Sequence, residues 1–207
     1  MLRVMYSVIL VAIATLAVAQ AESKQTELGE NSILIYIHET ETGETQFVLR
    51  VARFMPDIVL EWESLSHQGT IHLRKKAVEK GEGFTLSGLF DPGVDTDSKD
   101  VMTMWLSKAL FDELIKSGET KIRLNRLSTR FTLKGEITYS LRVDKKEISI
   151  PAMVLADARG GKWVFQKSRE NPVLLEFSND YYREYLKTLI LSQPGSLRWI
   201  QELPPVK

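Results

Sequence analysis

Apolar and polar positions change rhythm several times along the chain, and each change predicts an element. Val4 to Val18 is almost wholly apolar, broken only by Tyr6, Ser7 and Thr15. Ile33 to Ile37 is a short apolar run that suits a buried strand. Thr40 to Glu44 reads as a turn in which Gly43 supplies the positive φ of a hairpin loop, and Gln46 to Phe54 as the returning strand. Pro56 closes that strand, because proline cannot donate to a ladder. Ile58, Leu60 and Trp62 alternate with Val59, Glu61 and Glu63, which predicts a strand with one wet face. Gly69 to Leu73 continues the pattern, and Phe84 to Phe90 is expected to add another strand.

The period then lengthens. Met102, Trp105, Leu106, Ala109, Leu110 and Leu114 fall on one helical face. With Ser98 as N-cap, Asp100 in the first turn, Lys116 in the last and Gly118 as the stop, this predicts a helix over Lys99 to Ser117 with Trp105 buried against a sheet. Alternation returns at Ile122 and Leu124, and again from Ile137 to Val143. Asp144-Lys145-Lys146 turns the chain into Ile148 to Leu155, Gly160-Gly161 turns it into Trp163 to Gln166, and Pro172 opens a run to Phe177. Tyr181 to Leu191 fits a strand or a helix, and periodicity with Asn179 as cap favours a second helix near 180–191. The expected fold is mainly β (α+β): an antiparallel sandwich or half-open barrel forming one domain over 32–192, with a flexible leader over 22–31 and a tail over 193–207.

Arg3, the short apolar core and Ala19-Gln20-Ala21 describe a secretory signal peptide over 1–21, with the mature chain starting at Glu22. The apolar core is shorter than the roughly 20 residues of a comfortable membrane span, so no span is expected after cleavage. The chain has no cysteine, which excludes a lipidated-cysteine anchor and any disulfide framework. A cysteine-free exported domain fits a bacterial envelope, periplasmic or secreted.

Basic and acidic residues balance at 27 each, which argues against nucleic acid as a partner. The charges are unevenly spread. Glu22 to Glu63 holds nine acidic residues against three basic, and Lys121 to Lys146 holds eight basic against two acidic. Arg123, Arg126 and Arg130 make the second segment a candidate for steering a charged partner, unless the two segments neutralise each other.

Trp105-Leu106-Ser107 followed by Phe111, Leu114 and Gly118 resembles a helix in an uncharacterised family of exported bacterial β-rich domains of unknown function. Leu60-Glu61-Trp62 and Gly69-Thr70 resemble its early strands, and Glu170-Asn171-Pro172-Val173-Leu174-Leu175 its penultimate strand. The resemblance covers roughly 60–190, and the chain departs from it at Lys145 and at Gln166-Lys167. It implies an envelope location and a closing strand over Tyr181 to Leu191, and it transfers no functional residue.

Chemistry-bearing residues are sparse. His67 and His72 sit on opposite faces of one strand, and His38 is distant in sequence, so no zinc set forms from spacing. Asp91, Asp95, Asp97 and Asp100 crowd one loop, but Lys99 takes the third calcium-ligand position and Leu106 the place of the bidentate glutamate, leaving only a looser cation site open. Glu61 and Glu63 share a strand face as two carboxylates of a glycosidase do, a spacing common on any wet face. G-x-S-x-G, S-x-x-K and G-x-G-x-x-G are all missing. Trp62, Trp105, Trp163, Trp199, Tyr181, Tyr182 and Tyr185 are expected to be mostly core, with the capacity to line a sugar or lipid site. No catalytic, cofactor or metal residue is assigned. The expected function is non-catalytic binding or assembly with an envelope protein. The alternatives are a carrier of an apolar ligand such as a lipid, and an enzyme of unrecognised type.

Overall fold

The computed structural model describes residues 28–65 and 67–191. The expected signal peptide, the leader up to residue 27, Trp199 and the tail over 193–207 lie outside the described residues. Leu28 is already buried in the core at 4% exposure, and the backbone amide of Asn31 donates to Val51. The folded domain therefore includes the last four residues of the expected leader.

The protein is mainly β, with thirteen strands in one sheet among the described residues. The first four are β1 (Ile33–Thr40), β2 (Gly43–Arg53), β3 (Ile58–Ser64) and β4 (His67–Leu73), an antiparallel meander. After a short helix α1 (Lys75–Lys80) come β5 (Gly83–Phe84), β6 (Asp95–Ser98) and β7 (Val101–Met102). Helix α2 (Lys108–Ser117) leads into β8 (Glu119–Leu124), β9 (Leu127–Val143) and β10 (Lys146–Asp157). β11 (Lys162–Gln166), β12 (Leu174–Ser178) and β13 (Tyr182–Ile190) complete the chain. The sheet runs β6-β4-β3-β2-β1-β13-β12-β11-β10-β9-β8-β5-β7.

The sheet is mixed, where an antiparallel one was expected. β6 lies parallel to β4, and β5 lies parallel to β7 and β8, because the chain between β4 and β6 loops out through α1 and returns in the same sense. A further parallel contact, Thr188 opposite Arg142 and Leu189 opposite Val143, joins β13 to β9 and closes β9 through β13 into a ring of five strands.

Two helical expectations are corrected. Helix α2 starts at Lys108, not Lys99, and its N-cap is Ser107, whose hydroxyl accepts from the Leu110 amide at 3.2 Å. Upstream, Val101–Met102 pairs with β5, Trp105 bridges Val173, and the Leu106 amide donates to Pro172. Met102 through Ser107 are all buried, so the segment is covered on every side and its helical spacing marks no face. Ser98 closes a turn instead: its hydroxyl donates to the Val101 carbonyl and accepts from the Val101 amide. Gly118 ends the helix at φ 75°, as expected. The second correction is at Tyr182–Ile190, a strand paired with β1 throughout, where periodicity favoured helix. The 84–90 strand shrinks to β5, and Ser87 to Phe90 form a loop.

The ring wall separates two layers. Tyr139 on β9 donates its hydroxyl to the Leu175 carbonyl on β12, a strand that is not its neighbour, so this face of β9 points across the ring. Alternation and register then place Leu141, Ile150, Ala152 and Val164 inside with it, all at 2% exposure or less. The opposite face carries Phe131, Trp163, Phe165 and Phe177, with Phe84 of β5 packed on it; the rings meet edge-on or tilted, and Trp163 and Phe165 in parallel, at centroid distances of 4.2 to 6.4 Å. Trp105, 1% exposed, and the α2 residues Leu110 and Leu114 belong to the same hydrophobic cluster, so the expectation that Trp105 is core holds while its place on a helix does not.

Candidate functional site

An aromatic cleft opens where β1 to β4 meet the 86–92 loop. Its volume is about 320 Å³, and its lining includes Phe47, Trp62, Phe90, Met104, His38 and Glu184. The position of Trp62 depends on Gly69 directly opposite on β4: a Cβ there would stand 2.7 Å from the indole Nε1, so the missing side chain is what lets the ring lie down. Phe90 meets Phe47 at 4.8 Å and Trp62 at 5.6 Å, both edge to face. Leu65, 65% exposed, directly follows the lining residue Ser64, and Val94, 51% exposed, lies two residues after the lining residue Pro92.

Polar groups sit against this apolar floor. His38 Nδ1 lies 3.5 Å from Glu184 Oε2, and the imidazole packs on Tyr182 at 4.8 Å. Donation from its imidazole to the Glu184 carboxylate holds the His38 pKa above 6.5, outweighing the opposing effect of burial. Burial, with Glu184 adding to it, pushes the Tyr182 hydroxyl up to about 12, so it stays protonated and serves only as a hydrogen-bonding group. Glu184 Oε1 and Trp62 Nε1 are both buried without a partner among the described residues. Unsatisfied buried polar atoms cost stability and concentrate at functional sites.

A second cleft, of about 450 Å³, lies beneath the β8–β9 hairpin, lined by Phe84, Thr85, Ser87, Leu89, Arg123, Asn125 and Arg126 among others. Thr85 organises it. Its hydroxyl donates to Asn125 Oδ1 at 2.7 Å and accepts from the Gly88 amide at 2.9 Å. Gly88 is required there, because a Cβ would come within 2.8 Å of that hydroxyl oxygen.

The remaining residues considered from sequence are dispersed or neutralised. Asp97 is held by Arg74, which keeps its carboxyl below the ordinary range, and Asp100 by Arg123 at 2.9 Å. Among the described residues no group of three or more His, Cys, Asp or Glu side chains comes close enough to hold a metal ion. His38 and His67 line one cleft, although 29 positions apart, while His72 stands on the other face of β4 opposite Val59. Glu61 is paired with Arg50, and with Glu63 lines a shallow cleft on the outer face of β3. Trp163 is core; Tyr181 is 80% exposed; Tyr185 lies under the Arg183 guanidinium at 4.5 Å. The acidic and basic segments find partners elsewhere: Glu39 pairs with Arg183, Arg130 with Glu119, and Arg142 with Glu147. Sequence reasoning missed Glu184 and Phe90 altogether, since neither stands in a recognisable motif.

No protein-family model matches this chain, and no curated protein does either.

Proposed function

We propose that this is an exported, non-catalytic binding module of the bacterial envelope, and that it holds an apolar segment of another envelope protein in the aromatic cleft. The observation that carries the reading is the cleft itself: Phe47, Trp62 and Phe90 pack against one another in its lining. Aromatic rings that line a pocket are common anchors of protein recognition. Export is supported by the charge, apolar run and Ala19-Gln20-Ala21 order at the N-terminus. Among the described residues no helix is long and apolar enough to cross a membrane.

The alternatives find less support. A lipid carrier needs a lined cavity, and the ring interior is filled by Tyr139, Leu141, Ile150, Ala152 and Val164. An enzyme would draw on the His38–Glu184 pair, but the Ser64 hydroxyl in the same cleft donates to the Gln46 carbonyl rather than to the imidazole.

The test is capture from envelope extract with the mature chain and with Phe90→Glu. The expected result is a partner that survives high salt, as apolar contacts do, and is lost with the variant. Retention by Phe90→Glu refutes the cleft as the binding surface. Turnover of any substrate that disappears with His38→Ala refutes the non-catalytic reading.

A further inference from the structure

We propose that the cleft beneath the β8–β9 hairpin binds an oxyanion, a phosphate or carboxylate group, carried on a body with an apolar face. The inference concerns a different cleft from the aromatic one and stands without it.

Donors converge on this cleft. Arg126 has no ion-pair or hydrogen-bond partner among the described residues, and Arg123 shares its guanidinium with Asp100 through one nitrogen at 2.9 Å. Because Asn125 uses its Oδ1 to accept from Thr85, its amide nitrogen is left to donate, and the Ser87 hydroxyl stands on the same wall. Two guanidinium forks and a neutral amide match the planar or tetrahedral spread of oxygens on a carboxylate or phosphate. Lys121, two residues before Arg123 on the same exposed face of β8, adds positive charge to that face, whereas Arg130 opposite it is neutralised by Glu119.

The backbone also favours display over ease of folding. Asn125 and Arg126 form a two-residue hairpin loop with φ of 50° and 71°. Such a loop prefers Asn-Gly, since both central residues are left-handed. Asparagine tolerates the conformation, whereas an arginine in the glycine position is strained, and strain held at a cleft points to a use for the side chain. The partly exposed Leu89 and Val101 supply an apolar surface beside the donors, which selects an anion with a ring or hydrocarbon body over a bare inorganic ion.

The experiment is calorimetric titration of the mature chain with phenyl phosphate, benzoate, inorganic phosphate and phenol. Phenyl phosphate or benzoate is expected to saturate one site, with inorganic phosphate weaker and phenol weaker still; the tighter of the first two identifies the oxyanion. Arg126→Ala should weaken binding about tenfold or more without changing the thermal midpoint, since it loses charge-assisted hydrogen bonds made only to the ligand. Asp100→Asn should tighten binding severalfold by releasing Arg123, a gain that a purely structural role would not produce. Phenol binding as tightly as phenyl phosphate overturns the proposal. So does wild-type affinity in Arg126→Ala, or no saturation by either aromatic anion.

Discussion

The two clefts are built on opposite principles. The aromatic cleft is made of side chains that also belong to the core: Trp62 is 5% exposed, Met104 1%, and two buried polar atoms at its floor lack partners. The arginine cleft hangs exposed cations on a loop whose own hydrogen bonds are made, with Thr85 bonded to both Asn125 and Gly88. In the first, binding surface and stability are the same atoms, so a change to one changes the other. In the second they are separable, because an exposed guanidinium contributes little to folding. The contrast fits a general pattern in which functional groups are drawn either from strained or unsatisfied core positions or from solvated loops held by a rigid frame.

The comparison can be broken from the core outward. Trp105 adjoins the aromatic cleft through Met104 and belongs to the hydrophobic cluster that contains Phe84 of the other cleft, so Trp105→Ala should cost about 3–5 kcal/mol in urea or guanidinium titration. A loss under about 1 kcal/mol would show that the two clefts do not share this support. Next, Gly69→Ala forces the Trp62 ring away from β4 and should cost about 1–3 kcal/mol, with a changed near-ultraviolet circular dichroism spectrum. An unchanged spectrum would mean that Trp62 does not rest on Gly69.

Arg126→Gly probes the other cleft. Glycine relieves the left-handed strain at φ 71°, so the thermal midpoint should rise by the equivalent of up to about 1 kcal/mol while oxyanion binding falls. Stability and binding moving in the same direction would contradict the separation drawn here. The smallest effect is electrostatic. His38 has its pKa raised by Glu184, so the stability from the pair is fully present below the unfolded value of 6.5 and is lost as pH rises through the folded value. With His38 39% exposed at its side chain the effect should stay under about 1 kcal/mol, read as the difference in urea midpoint between pH of about 5.5 and about 8.5. His38→Gln or Glu184→Gln should abolish the difference; its persistence would assign the pH dependence to another group.

Local signals carried far where one strand face is wet and one dry. The alternation of Ile58, Leu60 and Trp62 placed β3, the Asp144-Lys145 turn stands with φ of 46° and 76°, and Gly118 stops the helix at the expected residue. Patterns failed where burial is complete on all sides. Met102 to Leu106 fit a helical spacing although every position there is buried, and β13 mimics a helix because a bulge between Ile35 and Tyr36 shifts its register and breaks its alternation. At Tyr182 to Ile190 periodicity favoured the wrong one of the two alternatives, strand and helix, that its spacing fits.

Neither cleft was legible in the linear order of residues, although several of their parts were noticed. Trp62, His38 and Arg126 each stood out alone. The partners that make them a site arrive from far along the chain: Glu184 reaches His38 only because β13 pairs with β1, and Thr85 meets Asn125 across 40 positions because β5 lies parallel to β8. Hydrophobic rhythm and turn chemistry act over a few residues, and so they decide strands, caps and hairpins before any long-range contact forms. Which strands become neighbours depends on the summed burial of whole faces and on closure of the β9–β13 ring, quantities that belong to the assembled sheet and to no single stretch of sequence.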